Sequence, residues 1–341
     1  MEHLKSNQIK MNSRTNSFII NRLIKVLVLF FFILMFLFPY ATYQGASSGL
    51  LLWFLNVLPT LLPFIILSNL MIRLNIAGRI SRFLHPLFGR LFRISVDGSY
   101  PVLIGFLSGI PMGAKATADL ASDHKINREE GNFLLGMCNN ASPIFILSFI
   151  ATNQLKLPHI RIPLFVIIYG SSILSSYICR NIYRFFQKRK QKSSDGPVAD
   201  RPSLPVNFKS VRFTFDILDS SIMNGFEVIT KIGGYIILFS ILAQIVYKTG
   251  SDVSLLKATF MGTLEITTGI SQICRIRMDS NIKIVLAAVL TSFGGFSGMA
   301  QTKSVLGCSR LSLKYYFIVK LLSALLAFLL SAFYVLVLQP N

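Results

Sequence analysis

Charge is what this sequence has least of. Only 14% of its 341 residues are charged, and just 14 of those are Asp or Glu against 34 Lys or Arg. A soluble domain of this length carries about a quarter of its residues as charges on its surface, so a water-facing globule is excluded. Cysteine is sparse too. Cys138, Cys179, Cys274 and Cys308 show no C-x-x-C spacing, and His3, His85, His124 and His159 are scattered, so the pattern offers neither a disulfide framework nor a metal site. Motifs of catalysis are missing as well: there is no H-E-x-x-H, no G-x-S-x-G and no paired-acid site. The expectation is a protein that is not an enzyme and needs no cofactor.

What the chain does have is oil. Hydrophobic residues make up 52% of it, and mean hydropathy is +0.59. Apolar segments fall at 24–43, 50–72, 98–122, 131–152, 162–182, 226–248, 255–274, 283–306 and 315–338. Most approach the length of about 20 residues that crosses a bilayer core about 30 Å thick. The net charge of +20 sits between these segments and not on one folded face. That is the distribution of cytoplasmic loops under the positive-inside rule, and nucleic acid is not an expected partner. Membrane lipid is.

Loop charge orders the crossings. Residues 1–23 carry Lys5, Lys10, Arg14 and Arg22 and read as a cytoplasmic tail before a signal-anchor helix at 24–43. The uncharged loop 41–49 then lies outside, and 73–93, with Arg73, Arg79, Arg82, Arg90 and Arg93, inside. A full crossing at 98–122 would expel the most basic loop, 184–215, to the outer face. A re-entrant hairpin there keeps it inside. Pro111 and Gly113 mark the break, and Gly105, Gly109 and Gly113 recur every four residues to let one arm pack closely. A broken backbone at membrane depth is tolerable only where protein or a wet cavity surrounds it.

Sliding the sequence on itself gives two weak internal matches. Leu62–Leu67 matches Gly233–Leu238, and Ser108–Lys115 matches Gly294–Gln301, at offsets of 171 and 186 residues. The expected architecture is therefore all-α and polytopic, with two inverted repeats that each carry a re-entrant helical hairpin. The first repeat and a linking span occupy 50–183, a basic cytoplasmic linker 184–215, and the second repeat 216–338. The second hairpin falls in 283–306, with Gly294, Gly295 and Gly298 as its packing residues. Inverted repeats with paired broken helices are a transporter plan, with solute held near the midplane.

Candidate binding residues follow from polarity at membrane depth. Lys115 stands four residues from Asp119 just past the first hairpin tip. Asn139, Asn140 and Ser142 interrupt an apolar span before Pro143, which removes a backbone donor and disfavours helix at Ser142. The helix N-terminus so exposed attracts carboxylate or phosphate. Glu265, the acid inside 255–274, is followed by Thr267 and suits proton or sodium coupling. Gln301 follows the glycines of the second hairpin.

Taken in order, Gly105–Lys115, Cys138-Asn139-Asn140, Leu264–Gly269 and Gly294–Gln301 resemble the sporulation integral membrane proteins of endospore-forming bacteria, within the nucleoside-recognition or Gate-domain superfamily. The resemblance covers about 50–338 and departs from the pattern at Gly298-Met299. It implies transport of dipicolinic acid, a small planar anion, across the outer forespore membrane of the mother cell. Lys115, the half-helix start at Ser142 and the asparagine amides are chemically suitable partners for it. A nucleoside or other small-solute transporter and a non-transporting scaffold for spore-envelope assembly are the alternatives. No oligomeric state is implied.

Overall fold

The computed structural model describes residues 22, 25–74, 76–191, 212–248 and 255–338. Every regular element among them is helical. A first helix, α1 (Lys25–Leu37), turns by 105° at Phe38 into α2 (Pro39–Leu52). In place of one straight helix over 24–43, the chain bends where Pro39 takes the first helical position, the place at which its missing N–H costs nothing. A π turn, Trp53–Val57, carries α2 into α3 (Leu58–Arg73).

Gly45 and Gly49 of α2 lie against the backbone of a later helix, α10 (Phe215–Lys248), with space for no side chain between them and Ile237 to Ile241. Small residues at a helix contact are how membrane helices approach closely without a hydrophobic driving force. Next in the chain, α4 (Ile76–Phe92) is amphipathic: Arg79, Arg82 and Arg90 share it with exposed Phe83, Leu87 and Leu91. This is the pattern of a helix lying in the membrane interface. The arginines of 73–93 therefore sit largely on a helix and not in a loop.

The first hairpin stands where the loop charges put it. Its arms are α5 (Ser99–Ser108) and α6 (Met112–Ser122). Gly105 and Gly113 would be about 12 Å apart along a straight helix; here a Cβ on Gly113 would lie 3.1 Å from the Cα of Gly105. Gly109 turns the chain with φ of 77°, a conformation that glycine adopts without strain. The next helix, α7 (Arg128–Cys138), is started by Asn127, whose side chain accepts from the Glu130 amide at 2.8 Å. It stops at Asn139, and the chain resumes beyond Pro143 as the π-wound α8 (Phe145–Gln154). After it α9 (Arg161–Gln191) runs unbroken.

The same series then recurs. A second hairpin is formed by α11 (Leu255–Leu264) and α12 (Ile266–Arg275), broken at Glu265. Its arms touch so closely that a Cβ on Gly269 would run into the Cα of Gly262. A second broken helix follows, α13 (Ser280–Phe293) and α14 (Gly295–Leu306), divided at Gly294 in the left-handed conformation. Last comes α15 (Leu313–Phe333), started by Ser312, whose hydroxyl accepts from the Tyr315 amide at 3.2 Å.

Two expectations change here. Residues 283–306 are not a hairpin: Ser280–Leu306 is one span, interrupted and not folded back. The hairpin is 255–275, which the sequence reading took as a crossing. The internal register changes with it. Ile110 corresponds to Glu265, Asn140 to Gly294 and Arg161 to Leu313, separations of about 155, 154 and 152 residues. The earlier offsets arose because glycine serves two purposes in this chain, close packing at hairpin arms and left-handed helix ends at breaks. Local sequence does not tell these apart.

Four helices among the described residues are long and apolar enough to cross a membrane, five if the bent pair around Phe38 counts as one span. Large apolar side chains such as Leu325, Phe328, Leu329 and Phe333 of α15 are exposed on their outer faces, as lipid contact requires. The core between them is held by two clusters, around Tyr100, Phe133 and Ile229 in the first and Ile146, Ile168 and Ile284 in the second.

The glycine contacts make a clean test. Gly105→Ala and Gly269→Ala each place a methyl group on neighbouring backbone and are expected to lose about 1 to 3 kcal/mol or more through overpacking. Gly234→Ala, which meets nothing within 4 Å, is expected to be neutral or to gain up to about 1 kcal/mol from helix propensity. Melting of the detergent-solubilised variants checks the order.

Candidate functional site

Each break strips backbone groups of their helical partners, and the structure satisfies several of them across elements. The Ile110 amide at the first hairpin tip donates to the Asn140 carbonyl at 2.7 Å. The Tyr169 hydroxyl on α9 donates to the Ala141 carbonyl at 3.0 Å. At the second hairpin tip Glu265 acts as the cap of α12: its carboxylate accepts from the Thr268 amide at 2.8 Å and from the Thr267 hydroxyl. This places a negative charge on a helix N-terminus, the favourable end of the helix dipole.

The four breaks meet at one cavity of about 300 Å³. Ser108 and Ile110 come from the first hairpin tip, Ala141 and Ser142 from the first broken helix, Glu265 and Thr267 from the second hairpin tip, and Gly294, Ser297 and Gln301 from the second broken helix. Phe145, Ser148, Phe149 and Asn153 of α8 form one side, and Leu52, Asn56 and Leu61 another. The lining is largely apolar and aromatic with a few hydroxyls and amides, which is the make-up of a small-molecule site. Phe145 and Phe149 stack at 4.8 Å with their rings 18° apart. The Ser108 hydroxyl is buried and has no partner. Glu265 is the ionisable residue in the lining, and neither Lys nor Arg is part of it.

Of the residues singled out from sequence, Ser142, Glu265, Thr267 and Gln301 line this cavity, as do Gly294 and Gly298. Gln301 donates to the Ser297 hydroxyl at 3.2 Å. Lys115 does not line it. It lies on α6, paired with Asp119 at 2.9 Å. Asn139 and Asn140 stand directly behind the wall and face away from the cavity. Asn139 donates to Thr302 at 2.7 Å and to the Tyr316 hydroxyl at 3.0 Å. Asn140 donates to the Met137 carbonyl and accepts from Ser172 at 2.8 Å and from the Lys320 ammonium at 2.7 Å. The two asparagines thus tie the first unit's break to α14 and α15 of the second. Gly105, Gly109, Pro111 and Gly113 are buried in the hairpin, where Cβ atoms on Gly105 and Gly113 would both strike the Cys138 carbonyl. Gly295 adopts positive φ beside Gly294.

Sequence reading missed Ser108, Phe145, Ser148, Phe149 and Ser297, which do not depart from what an apolar span carries, and Asn56 and Asn153, whose amides in or beside apolar segments are a signal of the same kind as Asn139. Lys320 was also missed, and there too a signal existed. It is a lysine inside Phe317–Leu330, an otherwise uncharged run, and an ionisable residue at that depth is functional by default.

Comparison with known proteins adds a family match and a relative. The Gate family, described as nucleoside recognition, matches residues 54–178. That match runs from the π turn before α3 into the middle of α9, and so takes in the first hairpin and the first broken helix. The chain is 26% identical over 315 residues to the sporulation integral membrane protein YlbJ of Bacillus subtilis (strain 168), covering 85% of this chain and 76% of that protein. No solved structure matches. The chain is an integral protein of a bacterial membrane, with residues 54–178 matching the Gate family and the greater part of its length similar to a sporulation membrane protein, as the motif resemblance implies.

The two classes of polar residue should separate by experiment. Asn139→Ala removes two buried hydrogen bonds and leaves Thr302 and Tyr316 short of a partner; the expected loss is about 1 to 3 kcal/mol for each group left unsatisfied. Gln301→Ala, at the cavity wall, is expected to cost less than about 1 kcal/mol because its partner Ser297 keeps access to the cavity. Thermal unfolding in detergent measures both, and equal losses would contradict the division into clamp and lining.

Proposed function

We propose that the protein is a membrane transporter, not an enzyme, and that the cavity where its four helix breaks meet is the solute site. The observation that carries this reading is the convergence of all four breaks on one cavity, largely apolar with a few hydroxyls and amides, inside a bundle of spanning helices. Interrupting a membrane helix exposes amides and carbonyls that lipid cannot satisfy, and four interruptions at one place are intelligible where a solute or water takes those groups up.

Counting crossings supports opposed orientations for the two units. From the basic linker side, α7 with α8 crosses outward and α9 returns. Then α10 leaves from that side again, so the second hairpin enters from the opposite face to the first. The site lies between units that point in opposite directions, the arrangement in which rocking of one unit against the other exposes a fixed site to each side in turn.

The walls suit a small planar solute: stacked Phe145 and Phe149 offer a ring face, and Ser108, Ser142, Ser297, Asn153 and Gln301 offer hydrogen bonds at its edge. Dipicolinate is such a solute, and the resemblance to sporulation membrane proteins makes it the first candidate, moved across the outer forespore membrane. A second reading rests on a specific observation. The carboxylate of Glu265 in a wall without lysine or arginine suits the hydroxyls of a neutral nucleoside, the ligand class named in the family's description.

Flux of labelled dipicolinate and of labelled uridine into proteoliposomes decides between them. Gln301→Ala is expected to weaken uptake of either solute, and Glu265→Gln to weaken uptake of uridine, whose hydroxyls the carboxylate would hold, and not that of dipicolinate. A lost hydrogen bond to a charged group, about 1.5 to 3 kcal/mol, corresponds to about a ten- to hundredfold loss of affinity. Full uptake by both variants would move the site elsewhere. Orientation is checked by an impermeant maleimide: exposed Cys308, in the turn between α14 and α15, is expected to label from the side of the basic linker. Labelling from the other side would reverse the second unit.

A further inference from the structure

The cavity poses a charge problem that a group behind its wall resolves. An anionic solute would sit beside Glu265 with no cationic side chain in the lining. Lys320 of α15 is fully buried, and its Nζ donates to Asn140 Oδ1 at 2.7 Å. Asn140 immediately precedes Ala141 and Ser142, which do line the cavity. The lysine therefore stands behind the first broken helix, on a helix of the other unit.

An ammonium has three donors, and Lys320 has a single acceptor together with the face of Tyr316 at 5.5 Å from the ring centroid. Among the described residues no carboxylate is paired with it. On α15 itself the neighbouring titratable group is Tyr316, whose hydroxyl is bonded to Asn139. The carboxylates of the helices packed on α15 are committed elsewhere. Glu129 of α7 holds Arg184 at 2.6 Å and Arg180 at 3.4 Å, and Glu130 holds the Ser95 amide at 2.6 Å. On α9, Arg180 also binds the Phe92 and Arg93 carbonyls, and on α13 Lys283 binds the Cys274 carbonyl. A buried cation without a counter-charge is costly, at least about 2.5 to 3.5 kcal/mol at membrane depth. The surroundings are nonetheless polar. Ser171 contacts Ser323 at 3.2 Å and Ser292 at 3.3 Å, Ser172 shares Asn140 Oδ1, and the buried Ser176 hydroxyl and Asn139 Oδ1 have no partner. Hydroxyls that can both donate and accept run along the seam between α9, α13 and α15.

We propose that Lys320 is the proton-coupling site of the transporter. Its neutral amine takes one proton from the side where solute loads and becomes an ammonium, and the same proton leaves to the opposite side after the solute is released. The ammonium supplies, through the break at Asn140, the positive charge that the cavity itself lacks, so an anion and a proton are carried together. Lys320 is a positioning and coupling residue and does not touch the solute. The inference rests on the transporter reading.

The test uses the full-length chain in proteoliposomes, with labelled dipicolinate as probe and an entrapped pH dye reporting protons. For the wild type, a gradient of one pH unit, acid on the loading side, is expected to sustain about a tenfold accumulation for each proton carried, with dye acidification in step with uptake. Lys320→Met and Lys320→Arg, checked for monodispersity in detergent, are expected to lose accumulation and proton movement, Arg because its charge cannot be discharged. Counterflow exchange, which needs no gradient, is expected to persist in Lys320→Arg. Wild-type flux that ignores the pH gradient overturns the proposal whether or not the variants fold, and leaves the transporter reading standing. Gradient-driven accumulation retained by Lys320→Met overturns it as well. Absence of flux from the wild type for dipicolinate and uridine alike sinks the transporter reading and the coupling site with it.

Discussion

The need of every backbone amide and carbonyl for a partner, in a medium that offers none, governs this molecule. An unbroken helix meets that need within itself, which is why α9 and α15 run on without incident. Breaks at Gly109–Pro111, Asn139–Ser142, Glu265 and Gly294 each open it again. The chain answers with specific groups: Asn140 takes the amide of Ile110, Tyr169 the carbonyl of Ala141, and the Glu265 side chain the amide of Thr268. Because the partners at the first two breaks come from other elements, those breaks can exist only while their neighbours are in place. The bundle and the cavity are therefore stabilised together.

Close packing follows from the same requirement. A hairpin that enters the membrane and returns must fit both arms within the space of a few helices, and glycine makes this possible where Gly105 and Gly113, or Gly262 and Gly269, bring backbone onto backbone. Serine does a related service on α9. Ser171, Ser172, Ser175 and Ser176 are wholly buried, and their small side chains allow approach; Ser171 meets Ser292 and Ser323 of the second unit, and Ser172 donates to Asn140 at the break. This polar seam runs through an interface that is otherwise apolar, with Ile168 and Ile284 in one cluster, and it meets the clamp of Asn139 and Asn140 at the break.

Much of this was legible in the sequence because the membrane enforces simple rules. Helical class and the location of the first hairpin follow from span length and loop charge, which act over tens of residues; most of the tail expected at 1–23 and of the basic linker expected at 184–215 lies outside the described residues. The second hairpin was misplaced because its evidence is local and ambiguous. Gly294 and Gly295 look like a hairpin tip but end one helix and start the next, while Gly262 and Gly269 flank an acid in a run that reads as an ordinary crossing. At the site, Ser142, Glu265, Thr267 and Gln301 were found because polarity in oil is conspicuous. Which way each side chain faces was not legible. Asn139, Asn140 and Ser142 lie within one interruption, yet only Ser142 turns to the cavity, since direction at a break is set by the partners that α14 and α15 present.

That division of one break between two tasks bears on how a transporter of this plan would move. The wall facing solute belongs to the first unit at Ser142, while the groups holding that wall from behind, Thr302, Tyr316 and Lys320, belong to the second. Any rotation of one unit against the other must strain or exchange these contacts. Occupancy of the cavity and the state of the clamp are then linked, because a ligand shifts a conformational equilibrium only by the difference in its affinity for the two states. Linkage is reciprocal, so a charge placed on the clamp alters solute affinity by the same factor that solute alters the affinity for that charge. A lysine held by an asparagine across the unit boundary is thus in a position to make proton binding and solute binding two readings of one conformational equilibrium.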